Sequence, residues 1–481
     1  MSAVLWTEAE LTDVLGPPSA SPASAVGGVS IDTRTIDAGD LFFAIRGERH
    51  DGHDHVARAF AAGAAAAVVA RARSDELQRH GPVFRVEDTL RAMERLGQAA
   101  RARSSARIAA VTGSVGKTSA KEMLRLALAK SGPTHASAAS YNNHWGVPLT
   151  LSRLSREAAF AVFEIGMNHA GEITPLVGLV RPHVALITTI APAHIRYLGS
   201  LEAIADAKAE IFTGLEPGGI AVLNRDAPQF DRLWGSALGR DVPTRTFGAG
   251  EDCDARLIGF EPREQGSFVR VRLSGREIDF ALGAPGRHMA ENAMGVLLVV
   301  ESLGASVEKA AAALAEFAPA KGRGERFVLA GASGPFTIID ESYNANPVSM
   351  RAAIALLGAT KPGPGGRRIA VIGDMLELGP EGADLHAALA PELAAGHVDL
   401  LFGAGPLTRA LFDAAPSAIR GAWGKASADI QDELVRGVRA GDVVMIKGSN
   451  GSRMGPIVSA LRERFPAMRS QEPSMPRTPP C

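Results

Sequence analysis

At 481 residues the chain has room for about three domains of roughly 100–200 residues each. Charge is balanced, 51 Lys and Arg against 52 Asp and Glu, so electrostatics give no reason to bind nucleic acid or an anionic membrane surface. Two cysteines, Cys253 and Cys481, exclude a disulfide framework and fit a reducing compartment. The stretch Met1 to Gly16 carries Glu8, Glu10 and Asp13 where a signal peptide needs an uninterrupted apolar region. No run reaches the about 20 apolar residues of a membrane span, and a cytoplasmic protein is expected.

Residues 1–103 read as a first, small α/β unit. Its clearest segment runs from Gly28 to Arg34. Asp40 to Gly47 follows, where the apolar run reads as a short strand closed by a glycine turn. After Asp51-Gly52-His53-Asp54 come an Ala-rich helix and a strand, Ala66 to Ala70. On local sequence alone Ser30, Thr33 and Arg34 are ordinary turn residues. The basic stretch Arg101 to Arg107 reads as a linker.

Residues 104–325 alternate strands and helices, which implies a mostly parallel sheet. The predicted strands are Ile108–Val111, Ala158–Phe163, Val184–Ile187 and Ile220–Leu223. Polar residues follow each one, and open α/β sheets bind ligands beyond the carboxyl ends of their strands. After the first strand comes Thr112-Gly113-Ser114-Val115-Gly116-Lys117-Thr118-Ser119, with a helical pattern over Lys121 to Lys130. Glycines that let backbone N–H groups approach a polyphosphate, together with a helix N-terminus, make an anion cradle. Lys117 would reach the terminal phosphates and the Thr118 hydroxyl a magnesium ion. The spacing is shorter than the common G-x-x-x-x-G-K-[ST], since Gly113 stands only three residues before Gly116. Glu164 and His194, at later strand ends, are placed to join this triphosphate site as metal-assisting groups.

Residues 326–469 repeat the alternation as a Rossmann-like unit, with strands at Phe336–Asp340, Arg368–Ile372, Val398–Phe402 and Asp442–Ile446. A helix is expected after Asn346-Pro347. The loops Gly373 to Gly379 and Lys447 to Arg453 both follow strands, and the second suits an anionic group. Residues 470–481 hold four prolines in a polar stretch, which implies disorder.

These motifs, in order, resemble the Mur ligases, ATP-dependent amide-bond-forming enzymes of peptidoglycan precursor synthesis. The shortened loop matches that family's T-G-[ST]-x-G-K-[ST]. Further segments look like the family: Asn142-Asn143-His144-Trp145-Gly146-Val147-Pro148, the run from Glu164 to Ile173, Ala207-Lys208-Ala209-Glu210-Ile211, and Asp340-Glu341-Ser342-Tyr343-Asn344-Ala345-Asn346-Pro347. The last of these is similar to the branch that joins D-alanyl-D-alanine to a UDP-N-acetylmuramoyl-tripeptide.

The resemblance implies that the first unit holds UDP through Ser30, Thr33, Arg34, Gly47, Asp51, Gly52 and His53. It sets Asn142 and Asn143 beside substrate or phosphate. It gives ATP two magnesium ions, held by Thr118, Glu164 and His194 with a carbon dioxide-derived carbamate on Lys208. Asn292 matches the adenine-side residue of the family's G-x-H-N-x-x-N, with Met289 in place of its first Asn. Arg323 matches a hinge arginine that contacts phosphates. Asp340, Tyr343 and Asn344 would close over the nucleotide, and Lys447, Ser449 and Asn450 would lie near the dipeptide. Small-molecule substrates, a monomer, and outer domains that swing together follow from the same resemblance. A sister ligase for a diamino acid carries a D-N-P-R-type motif that is absent here. A GTPase switch without ligation needs an N-K-x-D motif, which Asn224-Arg225-Asp226-Ala227 does not supply.

Overall fold

The computed structural model describes residues 4–22, 25–47, 50–192, 195–263 and 266–468. Three sheets succeed one another along the chain. The first is parallel, ordered β1 (Gly28–Ser30), β2 (Asp40–Phe43), β3 (Ala66–Ala70) and β4 (Val83–Val86). The central sheet holds β5 (Arg107–Thr112), β6 (Thr134–Ala136), β7 (Phe160–Glu164), β8 (Val184–Ile187) and β9 (Ile220–Asn224). It continues through β10 (Thr244–Gly248), β11 (Ala255–Arg263), β12 (Gly266–Leu273) and β13 (Arg276–Leu282), in the order 13-12-11-10-9-8-5-7-6. The third holds β14 (Glu325–Gly331), β15 (Gly334–Glu341), β16 (Arg368–Gly373), β17 (Leu400–Ala404), β18 (Arg420–Gly424) and β19 (Val443–Lys447), ordered 14-15-19-16-17-18.

The predicted central strands β5, β7, β8 and β9 pair in parallel. The predicted strands did not include β11 to β13, an antiparallel extension of that sheet. The chain there turns at Ser274 and Gly275, both with positive φ, the geometry of a tight two-residue hairpin. β7 starts at Phe160 rather than Ala158, because Ala158 closes a turn onto the Ser155 carbonyl. The helix after the phosphate-loop candidate starts at Lys117, four residues earlier than its apolar pattern, so its first turn is part of the loop.

Of the stretch from Arg101 to Arg107, expected as a linker, only 104–106 lie outside helix and strand. Arg101 and Arg103 end a helix, Thr89–Arg103. The buried Arg101 guanidinium donates to the carbonyls of Val180 and Arg181 at 2.8 Å and to Glu216 at 2.9 Å. Trp6 likewise donates to the Ser152 carbonyl at 2.9 Å. One apolar core runs from Trp6, Leu11 and Phe84 through Leu96 to Phe163 and Ile187, so the first and central units are packed as one body. The third unit has its own two cores, one on each face of its sheet. The predicted disordered tail, 470–481, lies outside the described residues.

Candidate active site

β5 delivers the chain to the cradle, and Gly116, with φ of 87°, caps the helix Lys117–Ala129 in a left-handed conformation. The loop is braced by β8. The Thr188 hydroxyl donates to the carbonyls of Val115, at 2.5 Å, and Thr112, at 3.3 Å, and a Cβ on Gly113 would meet it at 2.0 Å. Ser114 donates to the Ala191 carbonyl at 3.0 Å. The Thr112 hydroxyl is buried with no hydrogen-bond partner among the described residues. Ser119 sits half-buried in the helix's first turn.

Glu164, at the end of β7, is buried and accepts three hydrogen bonds. They come from Thr118 Oγ1 and Ser140 Oγ at 2.9 Å and from Asn142 Nδ2 at 2.8 Å. Lys117 donates to the Gly113 carbonyl at 2.8 Å. Burial pushes its ammonium below the usual lysine range, Glu164 opposes that, and Arg323 adds to it. Lys208 is buried, and burial followed by the Lys117 charge pushes it well below the ordinary lysine value. Lys117 thus feels the charges of Glu164 and Arg323, and Lys208 that of Lys117. The Asn292 amide lies against Gly116, where an added Cβ would meet its Nδ2 at 2.7 Å. Met289, in the position of the family's asparagine, is buried in the central core. His194 lies outside the described residues.

The donor set suits magnesium on a polyphosphate. That ion takes one or two protein oxygens, keeps waters and fills its shell from phosphates. The Thr118 hydroxyl and Glu164 carboxylate supply such a pair. No group of three or more His, Cys, Asp or Glu that could hold a metal by itself occurs among the described residues.

Other predicted residues prove to be held by the protein itself. Asn143 accepts from the Gly146 amide at 2.9 Å. His53 is buried with both ring nitrogens used, Nδ1 on Asp51 at 2.6 Å and Nε2 accepting from the Ala70 amide at 2.9 Å. Gly52 packs on Ile45, where a Cβ would meet backbone at 2.7 Å, and Gly47 donates to the His50 carbonyl at 2.9 Å. Ser30 is buried in a turn with Asp32, while Thr33 is half-buried and the exposed Arg34 pairs with Asp32 at 2.6 Å. Lys447 is buried on Glu341 at 3.2 Å and the Asn344 carbonyl at 2.9 Å, and Ser449 accepts from the Leu376 amide at 3.0 Å. Asn344 accepts from the Ala345 amide at 2.9 Å. Asn450, Tyr343, Lys321 and Arg453 line a cavity of about 310 Å³ between hinge and third unit. Ser140 and Thr188 were not singled out by sequence; their partners lie on other strands, which a linear motif does not reveal.

A phosphate cradle in the central of three α/β units, with an arginine brought to it from the next junction, defines a nucleotide-dependent ligase architecture. Family models match in three consecutive pieces: "Mur ligase family, catalytic domain" over residues 25–103, "Mur ligase middle domain" over 111–300, and "Mur ligase, glutamate ligase domain" over 322–450. The chain is 35% identical to the UDP-N-acetylmuramoyl-tripeptide–D-alanyl-D-alanine ligase of Escherichia coli K12, covering 95% of this chain and 98% of that one. Among solved structures it is similar to MurF from Acinetobacter baumannii, with a TM-score of 0.81, 29% identity, and 95% and 99% of the two chains covered. It is also similar to MurF from Thermotoga maritima in complex with ADP, with a TM-score of 0.73, 25% identity, and 91% and 97% covered. The chain belongs to the Mur ligase family, and within it to the MurF type.

Proposed function

We propose that the protein joins D-alanyl-D-alanine to UDP-N-acetylmuramoyl-tripeptide at the expense of ATP, in cytoplasmic peptidoglycan precursor synthesis. The observation that carries this reading is the Lys117–Glu164–Thr118 cradle, with the Arg323 charge felt at Lys117, in a chain similar to such ligases over 95% of its length. Amide formation from a carboxylate is uphill in water, so the carboxylate is activated first. Its oxygen attacks the γ-phosphoryl of ATP, giving an acyl phosphate and ADP. The dipeptide amine then adds to the acyl carbon, and phosphate leaves from the tetrahedral intermediate.

In phosphoryl transfer a protein mostly positions reactants and neutralises developing charge. Lys117 and Arg323 supply positive charge at the phosphates, and Asn292 is set for the adenine. Thr118 and Glu164 would hold one magnesium ion, with His194 and a carbamate on Lys208 at a second; when bound, these ions polarise the γ-phosphoryl oxygens. A buried lysine with lowered proton affinity, and no hydrogen bond or ion pair among the described residues, suits capture of carbon dioxide, because the neutral amine reacts. Ser30, Thr33, Arg34 and the Gly47–His53 turn are offered as the uridine diphosphate site, with His53 shaping the turn. Asn450, Arg453 and Lys321, around the cavity, would face the dipeptide carboxylate.

The test is phosphate release with ATP, UDP-N-acetylmuramoyl-tripeptide and D-alanyl-D-alanine, omitting one component at a time. Sustained release should need all three; release that continues unchanged without the dipeptide would sink the ligase reading.

A further inference from the structure

Family resemblance gives Asp340 a place against the nucleotide, but its geometry points elsewhere. The residue is fully buried at the end of β15. Oδ2 accepts from the Gly322 amide at 3.1 Å, and Oδ1 accepts from the Ser342 amide at 3.1 Å and the Ser342 hydroxyl at 2.6 Å. The main chain adds two more ties: the Gly324 amide donates to the Asp340 carbonyl at 2.8 Å, and the Tyr343 amide to the Gly322 carbonyl at 3.0 Å. Arg323 lies between the two bonded glycines. Its guanidinium stacks over the Tyr343 ring at 4.0 Å. Gly322, at φ 74°, and Gly324, at φ 100°, hold left-handed conformations that an L side chain rarely adopts, and a Cβ on Gly322 would meet that of Tyr343 at 3.0 Å.

A carboxylate enclosed in this way has no exposed face to offer a ribose. We infer that Asp340 is a positioning residue that clamps the hinge backbone, so that the left-handed turn fixes where Arg323 stands against the Tyr343 ring. The task assigned to Arg323 rests on the ligase reading above; the clamp does not. Asp340 thereby couples β15, and with it the third unit, to Arg323.

Two measurements separate the clamp from a nucleotide contact. Amide exchange on the full-length protein without ligands should show the 321–324 segment protected like the neighbouring strand; exchange as fast as an exposed loop would overturn the clamp. This readout does not depend on activity, so it survives even if the ligase assay fails. In steady-state kinetics Asp340→Asn should lower kcat by about tenfold or more with the KM for the sugar-peptide within about twofold, since the substituted amide nitrogen turns a donor toward Gly322 N–H. In an Arg323→Ala background the same change should cost less than about twofold, because the two residues act through one feature. The penalty for 2′- or 3′-deoxy-ATP should be equal in wild type and Asp340→Asn. Losses that multiply, or a deoxy-ATP penalty that vanishes in the variant, would make Asp340 a direct contact and overturn the inference. If Asp340→Asn does not fold, Ser342→Ala loosens one end of the same clamp and enters the same cycle.

Discussion

Lys208 shows how much one side chain can depend on its surroundings. On sequence it is a helical lysine flanked by acidic residues; in the fold it is buried beside Lys117, with its proton affinity lowered first by burial and then by that charge. Lys208→Ala should reduce ligation on the order of 10–100-fold and recover part of it when short-chain carboxylic acids are added. Native mass spectrometry should find the wild-type chain heavier by one carbon dioxide; an unmodified lysine in a fully active enzyme would remove the carbamate from the scheme. The cradle itself was readable because its glycines, Lys117 and Thr118 are adjacent in sequence. Glu164 was readable as a residue after a strand. Ser140, 24 residues away from it, and Thr188, 73 residues from Val115, act across strands, and nothing in a local pattern marks them.

Among the elements, parallel strands were easier to find than the hairpins. β8 is four buried residues in a row, as both-face burial demands. β12 alternates Val269-Arg270-Val271-Arg272-Leu273 in and out and turns at Ser274-Gly275, so the hairpin was present in the sequence as a period of two. The helix Glu8–Leu15 carries a different signal, a capping box of Thr7 with Glu10. Burial alone would raise the Glu10 carboxyl, but the Thr7 amide, Arg156, the Thr7 hydroxyl and Arg103 together bring it down to about 2. A carboxyl depressed in the folded state stabilises above its unfolded pKa and loses that contribution as pH falls toward its folded one. Glu10→Gln should therefore melt below wild type at pH 6 and 7. The gap should narrow as pH falls from about 4.5 toward 2. A gap independent of pH would rule out a charge-based cap.

Across the whole molecule, the shared core bears on the expectation that two outer domains swing together. The continuous core from Trp6 to Ile187, with Arg101 bonded into the Val180–Arg181 turn, makes the first two units one body. Relative motion is then expected between this body and the third unit. Sequence pattern marked the units but gave no account of which interface is apolar, because that depends on helix faces meeting across distant segments. Labels on the first and central units should keep their separation within about 2 Å when ATP and sugar-peptide bind, while central-to-third distances shorten by more. Single-molecule energy transfer can read both; a change in the first pair alone would reverse the assignment.

The Thr188 brace bears on how this loop could be engineered. Here the hydroxyl of the residue that follows β8 occupies the space under Gly113 and bonds the Val115 carbonyl. Grafting the longer common phosphate loop onto this scaffold would drive the added residues into Thr188. Loop length and the identity of the residue at 188 would have to be exchanged as a pair, although they lie more than seventy positions apart in the chain.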